Sequence, residues 1–255
     1  MKPPCLRVCG LLFLFALLLF SCERENGGTG DNTDTTGVVD DGETVGDGLF
    51  SVSEITKVKF APGNLKQGGH GFSARQYDYG GLFGWGTGDR PNLTSTYSYD
   101  YPVFHDWGGY NAGGCWRTLL EEEWQYLLFH REKAMARWGM GTVWGVQGLV
   151  LLPDIWKSPS GCEFRAGYGW WKNHYDLDQW AKMEKAGAVF LPAAGYRWGT
   201  EVSLVDVGGY YWTAPAAEGP LAQRNTVVCF SENGLIVDLC DRAVGCSVRL
   251  VEEKD

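Results

Sequence analysis

The chain has 255 residues, a formal net charge of −9 at pH 7 and 44% hydrophobic residues. That is enough apolar material for a sizeable core. The acidic balance argues against a nucleic-acid partner and an anionic membrane surface, because both need a basic patch.

Lys2 and Arg7 precede an apolar run from Leu11 to Phe20. The run is shorter than the roughly 20 residues a spanning helix needs, and it fits a signal peptide over residues 1–21. Leu19-Phe20-Ser21-Cys22 resembles a bacterial lipobox, so Cys22 is the expected lipid-attachment residue and the outer membrane is its expected anchor. Glu23-Arg24-Glu25 resembles the surface-export signal of Bacteroidetes lipoproteins, and Asp34-Thr35-Thr36 resembles their short O-glycosylation motif. Residues 22–48 are rich in Gly, Asp and Thr with little to bury, which predicts a flexible lipidated tether. Residues 49–255 are then one domain's worth of chain. Loss of residues 1–21 removes two positive charges and no acids, taking the charge from −9 to −11.

Within that domain Val58-Lys59-Phe60 alternates and stops at Ala-Pro-Gly, predicting a short strand and a turn. Gly71 to Tyr79 offers a second strand. Residues 80–114 are irregular, and so long a loop in a compact domain is usually functional. Its Gly84-Trp85-Gly86-Thr87-Gly88 lacks the Gly-Lys-Ser/Thr of a phosphate loop and is discarded as one. Thr118 and Glu121 form a capping box for an amphipathic helix over about 119–133, whose Glu121-Glu122-Glu123 suits the positive end of the helix dipole. Thr142–Val146 and Gly148–Leu152 read as strands around Gln147-Gly148. Asp176 and Gln179 cap a second helix that Gly187 closes.

The stretch Gly187–Ala214 then runs through an apolar strand, a turn at Pro192 and Gly195, and a Gly-Gly-Tyr-Tyr-Trp cluster. It reads as the packing centre of the fold. Arg197 beside the turn can pair with an acid or carry its planar head to a binding surface. Thr226–Phe230 and Leu235–Leu239 form a hairpin around Asn233-Gly234, and Gly245–Val251 is a last strand with Arg249 on the face opposite Val248 and Leu250. The pattern is α+β: two helices with short antiparallel strands and long irregular loops.

Chemistry-bearing clusters are sparse. Cys115, Cys162, Cys229, Cys240 and Cys246 leave an odd thiol in a monomer, and spacing alone does not fix their pairing. On the expected hairpin Cys229 faces Asp238, which makes Cys229 and Cys240 diagonal neighbours. There is no CxxC motif, so a metal site is not expected. His70, His105, His130 and His174 lie far apart in sequence and read as surface or loop residues. No cofactor is implied.

VKFAPGNL, LFGWGTG, WRTLLEEEW, VWGVQGLVLLPDIW, EKAGAVFLPAAGYR, GGYYWTA and GCSVRLV follow one another between about residues 55 and 252. Together they resemble the Fibrobacter succinogenes major paralogous domain family of Bacteroides-type lipoproteins. The resemblance implies a C-type-lectin-like fold, related to formylglycine-generating enzymes and to surface adhesins with variable loops. The Glu-Pro-Asn, Gln-Pro-Asp and Trp-Asn-Asp triplets of calcium-dependent lectins are absent, which disfavours calcium-held sugar.

The leading expectation is a noncatalytic recognition or adhesion lipoprotein that takes a glycan or an extracellular protein on aromatic loops. The ligand-binding candidates are Trp85, Trp107, Trp170, Trp171, Trp198, Tyr210 and Arg197. A structural or accessory subunit of a surface fibre or envelope complex and a formylglycine-generating-type thiol oxidase are the alternatives. For the latter Cys240 and Cys246 are close in sequence, but Cys246 falls inside the terminal Gly-Cys-Ser-Val-Arg strand.

Overall fold

The computed structural model describes residues 47–216 and 224–254. The expected signal peptide, Cys22 and nearly all of the tether therefore lie outside the described residues.

In chain order the strands are β1 (Phe50–Ser51), β2 (Lys57–Phe60), β3 (Trp116–Arg117), β4 (Trp138–Val143), β5 (Val146–Leu151) and β6 (His174–Tyr175). After these come β7 (Val189–Pro192), β8 (Tyr196–Trp198), β9 (Glu201–Ser203), β10 (Gly208–Trp212), β11 (Thr226–Ser231), β12 (Gly234–Leu239) and β13 (Val251–Lys254). Helix α1 (Glu121–Gln125) continues as a π-helical turn over Tyr126–His130, and α2 spans Leu177–Lys185. The architecture is α+β, with strands in four small sheets ordered β1-β2-β13-β3, β10-β11-β12, β6-β4-β5-β7 and β8-β9. The pairs are antiparallel except β4 with β6, which are parallel.

Alternation explains β2, where Val58 and Phe60 point inward and Lys57 and Lys59 outward. β7 is buried on both faces: Leu191 faces Leu149 and Phe190 faces Val150 on β5. Continuous apolar sequence is what such a strand requires. The stretch from Gly187 to Ala214 feeds all three apolar clusters. Leu191 and Tyr211 enter the one around Trp124 and Trp138, Trp212 the one around Phe83 and Trp107, and Phe190 the one around Trp180 and Met183. Its turn depends on Gly195, at φ +69°, where a Cβ would lie 2.0 Å from the Ser203 carbonyl oxygen.

Helix α2 forms as expected. The Asp176 carboxylate accepts from the Gln179 amide at 2.8 Å, the Gln179 side chain accepts from the Asp176 amide at 3.1 Å, and Gly187 follows at φ +93°.

Several sequence expectations are corrected. Leu120, not Thr118, is the N-cap of α1, and the Glu123 carboxylate, not that of Glu121, accepts from the Leu120 amide at 2.8 Å. Thr118 is instead held outside the helix, its hydroxyl donating to Asp106 at 3.0 Å. Gly71–Tyr79 supplies a single bridge, Phe72 to Leu65, rather than a strand. The β4–β5 turn falls at Trp144-Gly145, with φ of 51° and 82°, instead of Gln147-Gly148. In the β11–β12 hairpin Ser231 faces Gly234, so the turn is Glu232-Asn233 and Cys229 faces Ile236 instead of Asp238. The Cys240 amide donates to the Asn225 carbonyl, so Cys229 and Cys240 are not diagonal neighbours. Regular pairing of the terminal strand begins at Val251, the last residue of the expected one.

Arg249, expected on the face opposite Val248 and Leu250, is buried like them at 2% exposure and donates to the Ala61 carbonyl at 3.2 Å and to the Phe190 carbonyl. Burial lowers its guanidinium to about 10, opposed by Tyr211 and Glu184. The residues around it carry its charge through carbonyl dipoles rather than a salt bridge.

Candidate functional site

The long segment after β2 crosses the second apolar cluster and rises to an exposed crown. Its base is fixed at several points. The Thr87 hydroxyl donates to the Gly84 carbonyl at 2.9 Å, and Thr87 bridges His105. Tyr101 is fully buried, and its hydroxyl donates to the Ser95 carbonyl at 2.8 Å. Gly84 makes room for that ring, since a Cβ there would lie 2.2 Å from Tyr101 Cε1.

Arg197 locks the same segment from the core side. Its Nε donates to the Leu82 carbonyl at 3.2 Å, Nη1 to the Gly199 carbonyl, and Nη2 to the Leu93 carbonyl at 3.3 Å. Burial pulls its pKa below the ordinary arginine value, with Tyr101 and Cys246 opposing. Burial likewise raises the Tyr101 phenol, with Arg197 opposing.

The crown is a 3-10 turn over Ser98–Asp100. Tyr97 and Tyr99 are 60% and 74% exposed, and their rings stack at 5.4 Å with 25° between planes. Exposed rings on an anchored loop offer contact area at low entropy cost. Beside them lies a cleft of about 330 Å³ lined by Ser98, Tyr99, Asn225, Asp241 and Arg242. Asp241 Oδ1 accepts from the Ser98 hydroxyl and from the Ala243 amide at 2.9 Å. The Arg242 guanidinium lies 4.5 Å from the Trp85 ring centroid, and its Nη1 donates to the Tyr101 carbonyl at 3.3 Å. Arg242 Nε reaches Asn225 Oδ1 at 3.4 Å. Those contacts set the floor of the cleft.

The sequence candidates separate clearly. Trp85, Trp107 and Trp170 are 3%, 0% and 8% exposed, so their faces are spent on packing and they are withdrawn as ligand platforms. Trp107 meets Phe104 edge-on at 5.5 Å, and Trp170 meets Phe230 edge-on at 6.5 Å. Trp198 and Tyr210 are half-buried against the second cluster, with Tyr210 edge-on to Tyr196 at 5.6 Å. Arg197 is buried among carbonyls and clamps the loop instead of reaching a ligand. Trp171 alone among the tryptophan candidates is well exposed, at 66%, with the Lys172 ammonium 6.0 Å from its ring centroid.

Tyr97, Tyr99 and Asp241 were missed by sequence reasoning. The Ser/Thr/Tyr-rich run at 94–101 was their signal, and its tyrosines carried less weight than the tryptophans. The distant Asp241 had no local signal, because it reaches the loop only through the tertiary fold.

Elsewhere, His105 stands 3.2 Å from the Tyr110 hydroxyl and 3.8 Å from Asp89, while His70, His130 and His174 are exposed. Cys115 is exposed. Cys162 is buried, which raises its thiol pKa. Cys240 and Cys246 are also buried, in the second apolar cluster. No group of three or more His, Cys, Asp or Glu side chains able to hold a metal ion occurs among the described residues. A larger cleft of about 460 Å³ near Gly48 is lined by Lys59, Glu184, Glu252 and Lys254. There Lys254 pairs with Glu252 at 2.6 Å and Gln76 donates to Glu184 at 2.9 Å, so those polar groups serve one another.

Compared with protein-family models, curated proteins and solved structures, the chain matches none. No helix among the described residues is long and apolar enough to cross a membrane.

Proposed function

We propose that the protein is a surface-anchored recognition or adhesion lipoprotein, noncatalytic and of C-type-lectin-like fold, that takes its ligand on the Tyr97–Tyr99 crown. The observation that carries this reading is the stacked, exposed tyrosine pair beside a polar cleft, on a loop whose base is fixed by Arg197 and Tyr101. A fixed aromatic platform suits binding, because little ordering entropy remains to be lost when the ligand arrives. The lipobox-like Leu19-Phe20-Ser21-Cys22 and the order of the seven family-like segments support the anchor and the fold.

The ligand is a glycan or an extracellular matrix protein. Printed arrays of both classes, probed with the full-length chain, test the proposal. Binding to at least one class is expected; no binding to either contradicts it. For the anchor, palmitate labelling in an exporting bacterium is expected for the wild type and lost in Cys22→Ala; equal labelling of both contradicts lipidation at Cys22.

A further inference from the structure

We infer that the cleft beside Tyr99 selects neutral saccharides, holding an adjacent pair of sugar hydroxyls on Asp241 and Asn225 while the C–H face of the ring lies against the tyrosines. The inference rests on the recognition reading above and specifies its ligand.

Three features of the cleft converge on this chemistry. The first is an acceptor. Asp241 Oδ1 is committed to the Ser98 hydroxyl and the Ala243 amide, which orients the carboxylate and leaves Oδ2 with no partner among the described residues. The second is a donor. Asn225 Oδ1 faces Arg242 Nε at 3.4 Å, and its Nδ2 has no partner among the described residues and is the donor offered to a ligand. An acceptor and a donor that both line the cleft match a vicinal diol, in which one hydroxyl donates and its neighbour accepts. The third is an apolar platform. Tyr99 lines the cleft, its ring stacks on that of Tyr97, and a pyranose can lay its axial C–H groups on an exposed tyrosine face. The cleft, at about 330 Å³, has room for a monosaccharide.

Charge decides between neutral and acidic sugars. An acidic ring would bring its carboxylate or sulfate toward Asp241, on a chain whose net charge is −9. Arg242 keeps its positive charge, but its face lies on Trp85 and its Nε and Nη1 are directed to Asn225 and the Tyr101 carbonyl, so the Asp241 carboxylate is the charge left to meet the ligand's own acid. Bringing like charges together disfavours the acidic ligand.

The test titrates detergent-solubilised full-length chain with methyl α-mannopyranoside, methyl β-galactopyranoside and N-acetylglucosamine. A parallel panel uses methyl β-glucuronide, N-acetylneuraminic acid and galactose 6-sulfate, with saturation-transfer NMR and calorimetry as readouts. Binding of at least one neutral sugar is expected, weakened about tenfold or more by Asp241→Asn and by Asn225→Ala. Unchanged circular dichroism confirms that both variants fold. Tighter binding of the acidic panel overturns the inference. Neutral binding lost in Tyr99→Ala but kept in both Asp241→Asn and Asn225→Ala also overturns it, while leaving the crown as the recognition surface. Binding of a matrix protein with neither sugar panel overturns the inference and preserves the recognition reading. Silence in every arm overturns both.

Discussion

Arg197 donates through Nη2 to the main-chain carbonyl of Leu93 at 3.3 Å, joining the packing centre of the fold to the root of its most aromatic exposed loop. This guanidinium donates to the Leu82, Leu93 and Gly199 carbonyls, and no carboxylate pairs with it among the described residues. Replacing it by alanine strands three acceptors, so Arg197→Ala is expected to cost roughly 3 kcal/mol. It should also raise amide exchange across residues 93–101. Urea denaturation and hydrogen exchange check this; a stable variant with unchanged exchange in the loop contradicts the clamp.

The Gly84–Tyr101 contact makes a separate demand on the same loop. A Cβ at Gly84 meets the Tyr101 ring at 2.2 Å, and that ring has no exposed space to move into. Gly84→Ala is expected to destabilise by about 2 kcal/mol and to shift the Tyr99 ring resonances in NMR. Stability and spectra equal to the wild type would refute the packing described.

The tryptophans should divide by burial rather than by the company of glycines. Trp107, fully buried against Phe83 and Phe104, is expected to cost about 4 kcal/mol on replacement by alanine. Trp171→Ala should stay within about 0.5 kcal/mol of the wild type. Comparable losses at both positions would contradict the assignment.

A pH dependence follows from Asp154, which joins the start of the domain to the end of β5. Burial works to raise its carboxyl, but the Ser51 hydroxyl and amide and the Arg131 guanidinium outweigh burial and hold it below its ordinary value of 3.8. Ser51 donates its amide at 2.9 Å and Arg131 its Nη1 at 3.1 Å. A depressed carboxyl contributes stability that is fully present above its unfolded pKa and is lost as pH falls through the folded one. Stability should therefore fall below about pH 4, and Asp154→Asn should flatten that part of the curve. Parallel acid profiles for wild type and variant would contradict it.

The parts legible in the sequence were those governed by local rules. The Asp176–Gln179 cap, the apolar β7 and the hairpin of β11 and β12 announce themselves through neighbours within a few residues. The helix α1 was legible too, but its cap was not: Thr118 is drawn away by Asp106, twelve residues upstream, so Leu120 is the N-cap and Glu123 accepts its amide. The site was harder still. Trp85, Trp107 and Trp170 sit among glycines and turns, which read as exposure, yet the rings are buried, and Gly84 makes room for Tyr101 while Gly86 and Gly108 admit neighbouring main chain. Asp241 joins Ser98 across 143 residues, a relation no local pattern encodes.

The most direct test of the account replaces Tyr97 and Tyr99 together by alanine and measures both stability and saccharide binding, with Trp171→Ala as the control. The account predicts a double variant that unfolds at the wild-type urea midpoint and no longer binds the sugar, beside a control that binds it fully. Undiminished binding by the double variant, with loss in Trp171→Ala, would contradict it and move the recognition surface to Trp171.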